Sequence, residues 1–397
     1  MIDFRARDSM GAKERMAALA AGRPIDRVPF MPFAICFAAR IGGMDRGEVF
    51  RDPRKAFAVG MNLLEVYPWM NGKPAYGWGG RGAWEFGGSI VWPDGDSYAG
   101  PWSDPIIASP EEVDALPSPD PETAGMVPLQ DAFNRICREH GFTASLPGGT
   151  PTTISSSIVG RENFLRWMGK YPEVVHKLQR KSTDFILRCA ERTIAKYGAE
   201  NCGVYAGVPM ESNQLISASM FETFAKPYIR EIFDCYTSAG VKSITVHLCG
   251  DHRANLPHWK DIPLPGRTIF SIGDEMDLER TGEEIGKDNI LAGNVNCSLL
   301  CAGSPEEVFA EVRRCLEAGR KHPGGFVLMP ACELPPDTPL ENMEALGAAL
   351  FEYGYYPSSL DENNAETRNW TKHGAAAAGR ALPRNRPHSE TVLFPCS

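Results

Sequence analysis

From about residue 130 onward the apolar positions along the chain fall into two alternating rhythms, one helical and one of short continuous runs. "DAFNRICREHG" (131–141) and the long stretch 160–198 carry helical spacing, with Pro172 starting a new helix in its first turn, where a missing N–H costs little. After these come "NCGVYAG" as a strand, "SASMFETFAKPYIREIFDCYTSAG" as a helix, "VKSITVHLCG" as a strand and "HRANLPHWKDI" as a helical segment. "RTIFSIG", "NILAGNV" and "GFVLMPACE" read as further strands, separated by the helices "DLERTGEEIG" and "SPEEVFAEVRRCLEAG" and followed by "PLENMEALGAALFEYG". Strand and helix in turn at this spacing predict a parallel sheet covered by helices. Sustained over about 230 residues, with no dinucleotide-binding "GxGxxG" after the first strand, the pattern predicts a closed (β/α)8 barrel of the TIM type rather than an open doubly wound sheet. In such a barrel the chemistry sits at the C-terminal ends of the strands.

Two segments break the rhythm. Residues 70–105 hold four of the eight tryptophans among many glycines. They read as a β-hairpin insertion with its aromatics packed on the barrel, the alternative being a lid over an apolar ligand. Residues 361–397 are polar and without strong periodicity, so residues 1–360 are expected to form one barrel domain followed by an extended or disordered tail.

Composition supports one large core: 43% of the 397 residues are hydrophobic and 23% charged. A net charge of −9 with no basic cluster argues against a nucleic-acid surface. The first 23 residues lack an apolar signal core, and no stretch approaches the roughly 18 apolar residues of a membrane span. Eleven cysteines scattered without a framework fit a reducing compartment, so a cytoplasmic protein is expected. Barrels of this size also pair, which makes a homo-oligomer an open expectation.

The candidate chemistry starts at "VHLCGDH" (246–252). His247 and Cys249 leave the end of a predicted strand two residues apart and therefore point the same way. A second strand ends in Cys332 and a proline-rich turn, so the barrel prediction puts all three side chains on one rim. A His-x-Cys arises readily by chance in a chain with 11 Cys and 8 His, and a lone cysteine is ordinarily packing. Together, one imidazole and two thiolates suit zinc, with a fourth position left for water or substrate as in a catalytic site.

"HLCGD", "ILAGNVNCSLLCAGSPEEVFAEVRRCLEAG" and "GGFVLMPACELPPDTPLENMEAL" resemble the uroporphyrinogen decarboxylase superfamily, and within it the zinc-dependent corrinoid methyltransferases, including the methylcobamide:coenzyme M methyltransferases. "RPIDRVPFMPF" and "ISASMFETFAKPYIREIF" extend the resemblance over roughly residues 10–358. It implies a (β/α)8 barrel, zinc held by His247, Cys249 and Cys332, and methyl transfer between a small substrate and the cobalt of a corrinoid. No "DxHxxG" cobalamin-binding stretch is present, so the corrinoid is expected on a partner protein. The sequence departs from the decarboxylase branch where "MRQAGRY" is replaced by "FAICFAARIGG", which keeps only Arg40, and where "GNxDP" becomes "GNVNC" with Asn296 for Asp.

Further candidates surround the predicted rim. Glu211 is a fourth zinc ligand, a substrate-holding group or a solvated loop carboxylate. Asp251 and His252 are candidates to orient His247, Asp251 is also a candidate to bind substrate, and His252 is equally a helix-start residue. Arg40 and Asn294 are candidates to bind substrate, Asp277 is a rim residue or a helix N-cap, and Tyr76, Trp78 and Trp84 either line a methoxy-compound pocket or belong to the core. Three readings follow: the zinc methyltransferase, a metal-free decarboxylase of the same fold needing a more basic pocket, and a noncatalytic barrel that closes its metal with four protein ligands.

Overall fold

The computed structural model describes residues 7–78, 81–94 and 100–356, all within one compact unit, Met1–Tyr356. The tail expected from residue 361, and parts of the expected insertion, lie outside the described residues.

Six strands, β1 (Ala144–Ser145), β2 (Cys202–Gly207), β3 (Ser243–Leu248), β4 (Ile269–Ile272), β5 (Ile290–Val295) and β6 (Phe326–Pro330), form a parallel sheet in chain order. Helices cross between them, as the alternation predicts. The strands read as nearly continuous apolar runs because both faces are covered. Ile244, Val246 and Leu248 of β3 join the large core under the helices, as do Phe270 and Ile272 of β4. The opposite parity, with Ile290, Ala292, Val327 and Met329, forms a second, smaller cluster onto which Tyr205 and Ile269 pack. His247 belongs to that second parity, which places it on the same face of the sheet as Tyr205.

Beyond β6 the sheet continues through single parallel bridges, Phe30 to Leu328 and Phe30 to Met70. At the other end, the edge of β1 is met by side chains. Asn134 accepts from Ser145 N at 2.8 Å and donates to Ser145 O at 3.0 Å, and Lys73 Nζ donates to Thr143 O at 2.8 Å. An asparagine amide thus stands in for a neighbouring strand and satisfies an edge that would otherwise be exposed.

Differences from the expected elements have local causes. The helix expected over 217–240 is divided into Ala218–Met220, a π-turn at Phe221–Ala225 and Lys226–Ser238, because Pro227 has no N–H to offer the preceding turn. The segment 252–262 forms only the short helix Leu256–Trp259. In place of a regular hairpin, the described part of 70–105 holds one antiparallel bridge, Val91 to Trp102, around an irregular turn. Gly82 in that turn has φ +130° and passes so close to the helix Pro151–Val159 that a Cβ would lie 2.5 Å from Ile154 O. Among the described residues, no helix is long and apolar enough to cross a membrane.

Candidate metal centre

His247 is the penultimate residue of β3, and Cys249 follows the strand. The chain turns sharply there at Gly250, with φ +85°, where a Cβ would meet Gln214 Oε1 at 2.8 Å and Ser212 Oγ at 2.9 Å. This explains the glycine in "HLCGD". Cys332 lies just beyond β6, in a loop fixed on both sides: Ala331 N donates to Val295 O at 2.8 Å, and Leu334 N to Phe33 O at 2.8 Å. The carboxylate of Glu333 accepts from Cys36 N at 3.0 Å.

These two strand ends bring one donor atom each from His247, Cys249 and Cys332 within 4.8 Å of one another. The two sulfurs are 4.0 Å apart. His247 is buried and Cys332 is exposed, so the cluster has a closed wall and an open side. On the imidazole, Nδ1 lies 3.1 Å from Ser271 Oγ, while the buried Nε2 has no hydrogen-bond partner. An unpartnered ring nitrogen beside two sulfurs is a site with a donor atom to spare, and one imidazole with two thiols is a donor set that zinc accepts. Cys249, whose sulfur lies 4.0 Å away, and the neighbouring His247 lower the Cys332 thiol below its ordinary value, and Cys249 keeps its proton more tightly because Cys332 faces it. The pair therefore carries its first negative charge readily.

Glu211 is fully buried, and neither carboxylate oxygen has a partner by geometry. Burial pushes its pKa up to about 7, opposed by the nearby Thr150 and Thr152 hydroxyls. It does not join the three-residue cluster. Asp251 pairs with Arg253 at 2.6 Å, and His252 is buried against Cys249 O at 3.3 Å, so neither contacts the His247 ring by hydrogen bond. His252 instead steadies the loop: Asn255 links it, at 3.4 Å, to Glu211 O at 2.7 Å.

The other candidates have partners of their own. Arg40 Nη1 donates to the carbonyls of Pro336 (2.9 Å) and Thr338 (2.8 Å), tying down the loop that carries Cys332. Asn294 is buried, with its amide donating to Gly273 O (3.0 Å) and Met276 O (2.8 Å), and Arg314 donating to its carbonyl at 3.4 Å. Asp277 caps the helix Leu278–Ile285 by accepting from Arg280 N at 2.8 Å, and Asn296 likewise caps Cys297–Ala302. Tyr76 is a core residue: it stacks on Phe133 at 5.0 Å and donates to Phe50 O at 2.6 Å. Trp78 stacks with Trp84 at 6.4 Å and meets Trp92 edge-on.

Ser271 and Tyr205 escaped the sequence reading. Ser271 is the polar residue inside an otherwise apolar strand and pairs in register with His247. The Tyr205 ring stacks on His247 at 5.7 Å, backed by Phe33 at 5.2 Å.

The chain is 30% identical over 225 residues to the methylcobamide:CoM methyltransferase MtaA of Methanosarcina barkeri, a match spanning 55% of this chain and 62% of the relative, under two thirds of its length. It is 24% identical over 193 residues to the methylcobamide:CoM methyltransferase MtbA of Methanosarcina acetivorans, spanning 48% of this chain and 53% of that protein. It is 25% identical over 252 residues to the uroporphyrinogen decarboxylase of Gloeobacter violaceus, covering 61% and 69% of the two chains. A solved methyltransferase from Methanosarcina mazei superposes with a TM-score of 0.69 at 22% identity, over 87% of this chain and 99% of that one, which shows a shared fold. The uroporphyrinogen decarboxylase (URO-D) family profile matches residues 11–353, and the chain belongs to that family.

Proposed function

We propose that this protein is a zinc-dependent methyltransferase that moves a methyl group between a corrinoid carried by a partner protein and a small substrate, either a thiol or a methoxy or other methyl donor in a demethylation pathway. The observation that carries the reading is the cluster of His247, Cys249 and Cys332. Two sulfurs each about 2.3 Å from one tetrahedral zinc lie roughly 3.8 Å apart. The 4.0 Å between Cys249 and Cys332 is close to that separation. Resemblance to methylcobamide:CoM methyltransferases supports the corrinoid and the thiol class of acceptor.

Bound zinc would act as a Lewis acid, lowering the pKa of a substrate thiol or polarising the leaving atom of a methyl donor. The chain's own residues do the rest. His247 Nε2 and the two sulfurs would hold the ion and leave one position open on the exposed side, where Cys332 meets solvent. Glu333 and Arg40 fix the Cys332 loop by backbone contacts, keeping the sulfur facing Cys249. Glu211, buried and unpartnered, is assigned to the substrate or to the fourth position. Substrate and corrinoid would meet over the strand ends, in a barrel that we take to close through Phe30 and Met70 within residues 1–360. The free cysteines fit a reducing, cytoplasmic setting.

A decarboxylase acting on several carboxylates needs free cations. Arg40, the arginine kept from that branch, is engaged with backbone carbonyls. The test is methyl transfer from methylcobalamin to a panel of thiols, and from methyl donors to reduced cobalamin, by the zinc-loaded protein and by Cys332→Ala. Zinc-dependent turnover that is lost in the variant supports the reading; decarboxylation without metal and no methyl transfer overturns it.

A further inference from the structure

His247 stands at one side of a strip of backbone that carries no side chains. Gly207 pairs in register with His247, and Gly149 forms a parallel bridge with Gly207, so all three positions present the same face of the sheet. A Cβ placed on Gly207 would meet no atom within 4 Å, so the space beside His247 on that face is open. A Cβ on Gly149 would meet one group, Nη2 of Arg81, at 3.8 Å. The guanidinium of Arg81 therefore lies over the far end of the strip, two strand spacings, or roughly 10 Å, from the backbone of His247. Tyr205 borders the strip with an aromatic ring: it lies two residues before Gly207 on the same face and stacks on His247 at 5.7 Å.

Arg81 is held there by the backbone of its neighbours and not by a counter-ion. Gly82 N donates to Glu85 Oε2 at 2.6 Å, Ala83 N donates to Ser157 Oγ at 3.1 Å, and Gly82 packs against Ile154 O. Ile154 and Ser157 belong to the helix Pro151–Val159, which begins two residues after Gly149. The guanidinium itself donates from Nη1 to Met126 Sδ at 3.4 Å, and a thioether is a weak acceptor. Among the described residues, no carboxylate pairs with it. A half-buried guanidinium whose planar fork is unmatched is a receptor for an oxyanion, and one such group serves one anion, not the several of a polycarboxylate.

We propose that Arg81 anchors a carboxylate or sulfonate at the end of the substrate away from the metal centre. The small substrate is then an anionic thiol or methyl donor that lies along the open strip. The imidazole and the guanidinium take up part of the roughly 10 Å between the outer strand positions, which leaves about the length of a para-substituted benzene ring between reacting atom and anion. The inference rests on the zinc reading for the reacting end, and on Arg81 and the open strip alone for the anionic end.

Calorimetric titration of the full-length, zinc-loaded protein compares para-mercaptobenzoate and para-mercaptobenzenesulfonate with para-mercaptobenzamide, which has a similar shape and no charge. The wild type is expected to bind at least one of the anions about 10- to 100-fold more tightly than the amide, and the tighter anion names the group. Arg81→Gln is expected to bring both anions to within about twofold of the amide, with amide affinity and zinc content as in the wild type. Arg81→Lys, which keeps the charge and loses the fork, is expected to retain part of the preference. A preference below about twofold in the wild type, or one that survives in Arg81→Gln, overturns the proposal. A wild type that holds no zinc sinks the metal reading instead, and benzoate against benzamide on the metal-free protein then decides the role of Arg81 by the same criterion.

Discussion

Cys249 and Cys332 are 83 residues apart in the chain, and their sulfurs lie 4.0 Å apart. Two neighbouring parallel strands do not bring this about. β3 and β6 are separated in the sheet by β4 and β5, and the loops that follow them reach across that gap. Two thiols with a histidine beside them favour one negative charge at the centre, which a cation would complete.

Glu211 gives a pH-dependent test of what its burial costs. Its pKa is raised from the ordinary glutamate value to about 7, so stability fully present below the ordinary value is lost as pH rises through about 7. At pH 8 the buried charge costs the metal-free protein about 3 kcal/mol. Glu211→Gln is therefore expected to stabilise the metal-free fold by up to about 3 kcal/mol at pH 8 and by almost nothing at pH 4. Denaturant titrations at both pH values check this. A destabilised variant at pH 8 would show that the carboxylate has a cationic partner in solution.

Asn294 serves the fold. Replacing it with Ala removes the donors for Gly273 O and Met276 O, and is expected to cost about 2–4 kcal/mol while leaving zinc stoichiometry unchanged. A variant of normal stability with a raised KM would return Asn294 to the substrate.

Three core thiols give a test at alkaline pH. Burial raises Cys137 to about 11, and Cys189 and Cys315 to about 12. Unfolded thiols ionise near pH 8.5, so the stability these groups contribute below that pH is lost as pH rises toward their folded values. Between pH 7.5 and 9.5 the three together are expected to remove roughly 4 kcal/mol, read as a shift in the denaturant midpoint. Equal stability at the two pH values would mean that these thiols reach solvent in the fold.

The sequence shows most clearly what depends on periodicity along one segment. β3 to β6 are legible because apolar runs alternate with helical spacing, and His247 with Cys249 because period two puts them on one face. Membership of the family is legible from the same motifs. β1 is two residues long and carries no pattern of its own, so only its neighbours reveal it. Ser271 and Tyr205 depend on register between strands, which no single segment encodes. Arg40 and Asn294 look like binding residues in sequence because the carbonyls that engage them, from residues distant in the chain or across a turn, have no sequence signature.

The central claim is that His247, Cys249 and Cys332 hold one zinc ion. The most direct measurement is elemental analysis of freshly purified protein beside Cys332→Ala, each after incubation with zinc and removal of excess. The account predicts about one zinc per chain in the wild type and a large loss in the variant. No zinc in the wild type after that treatment, or an equal content in both, would contradict it.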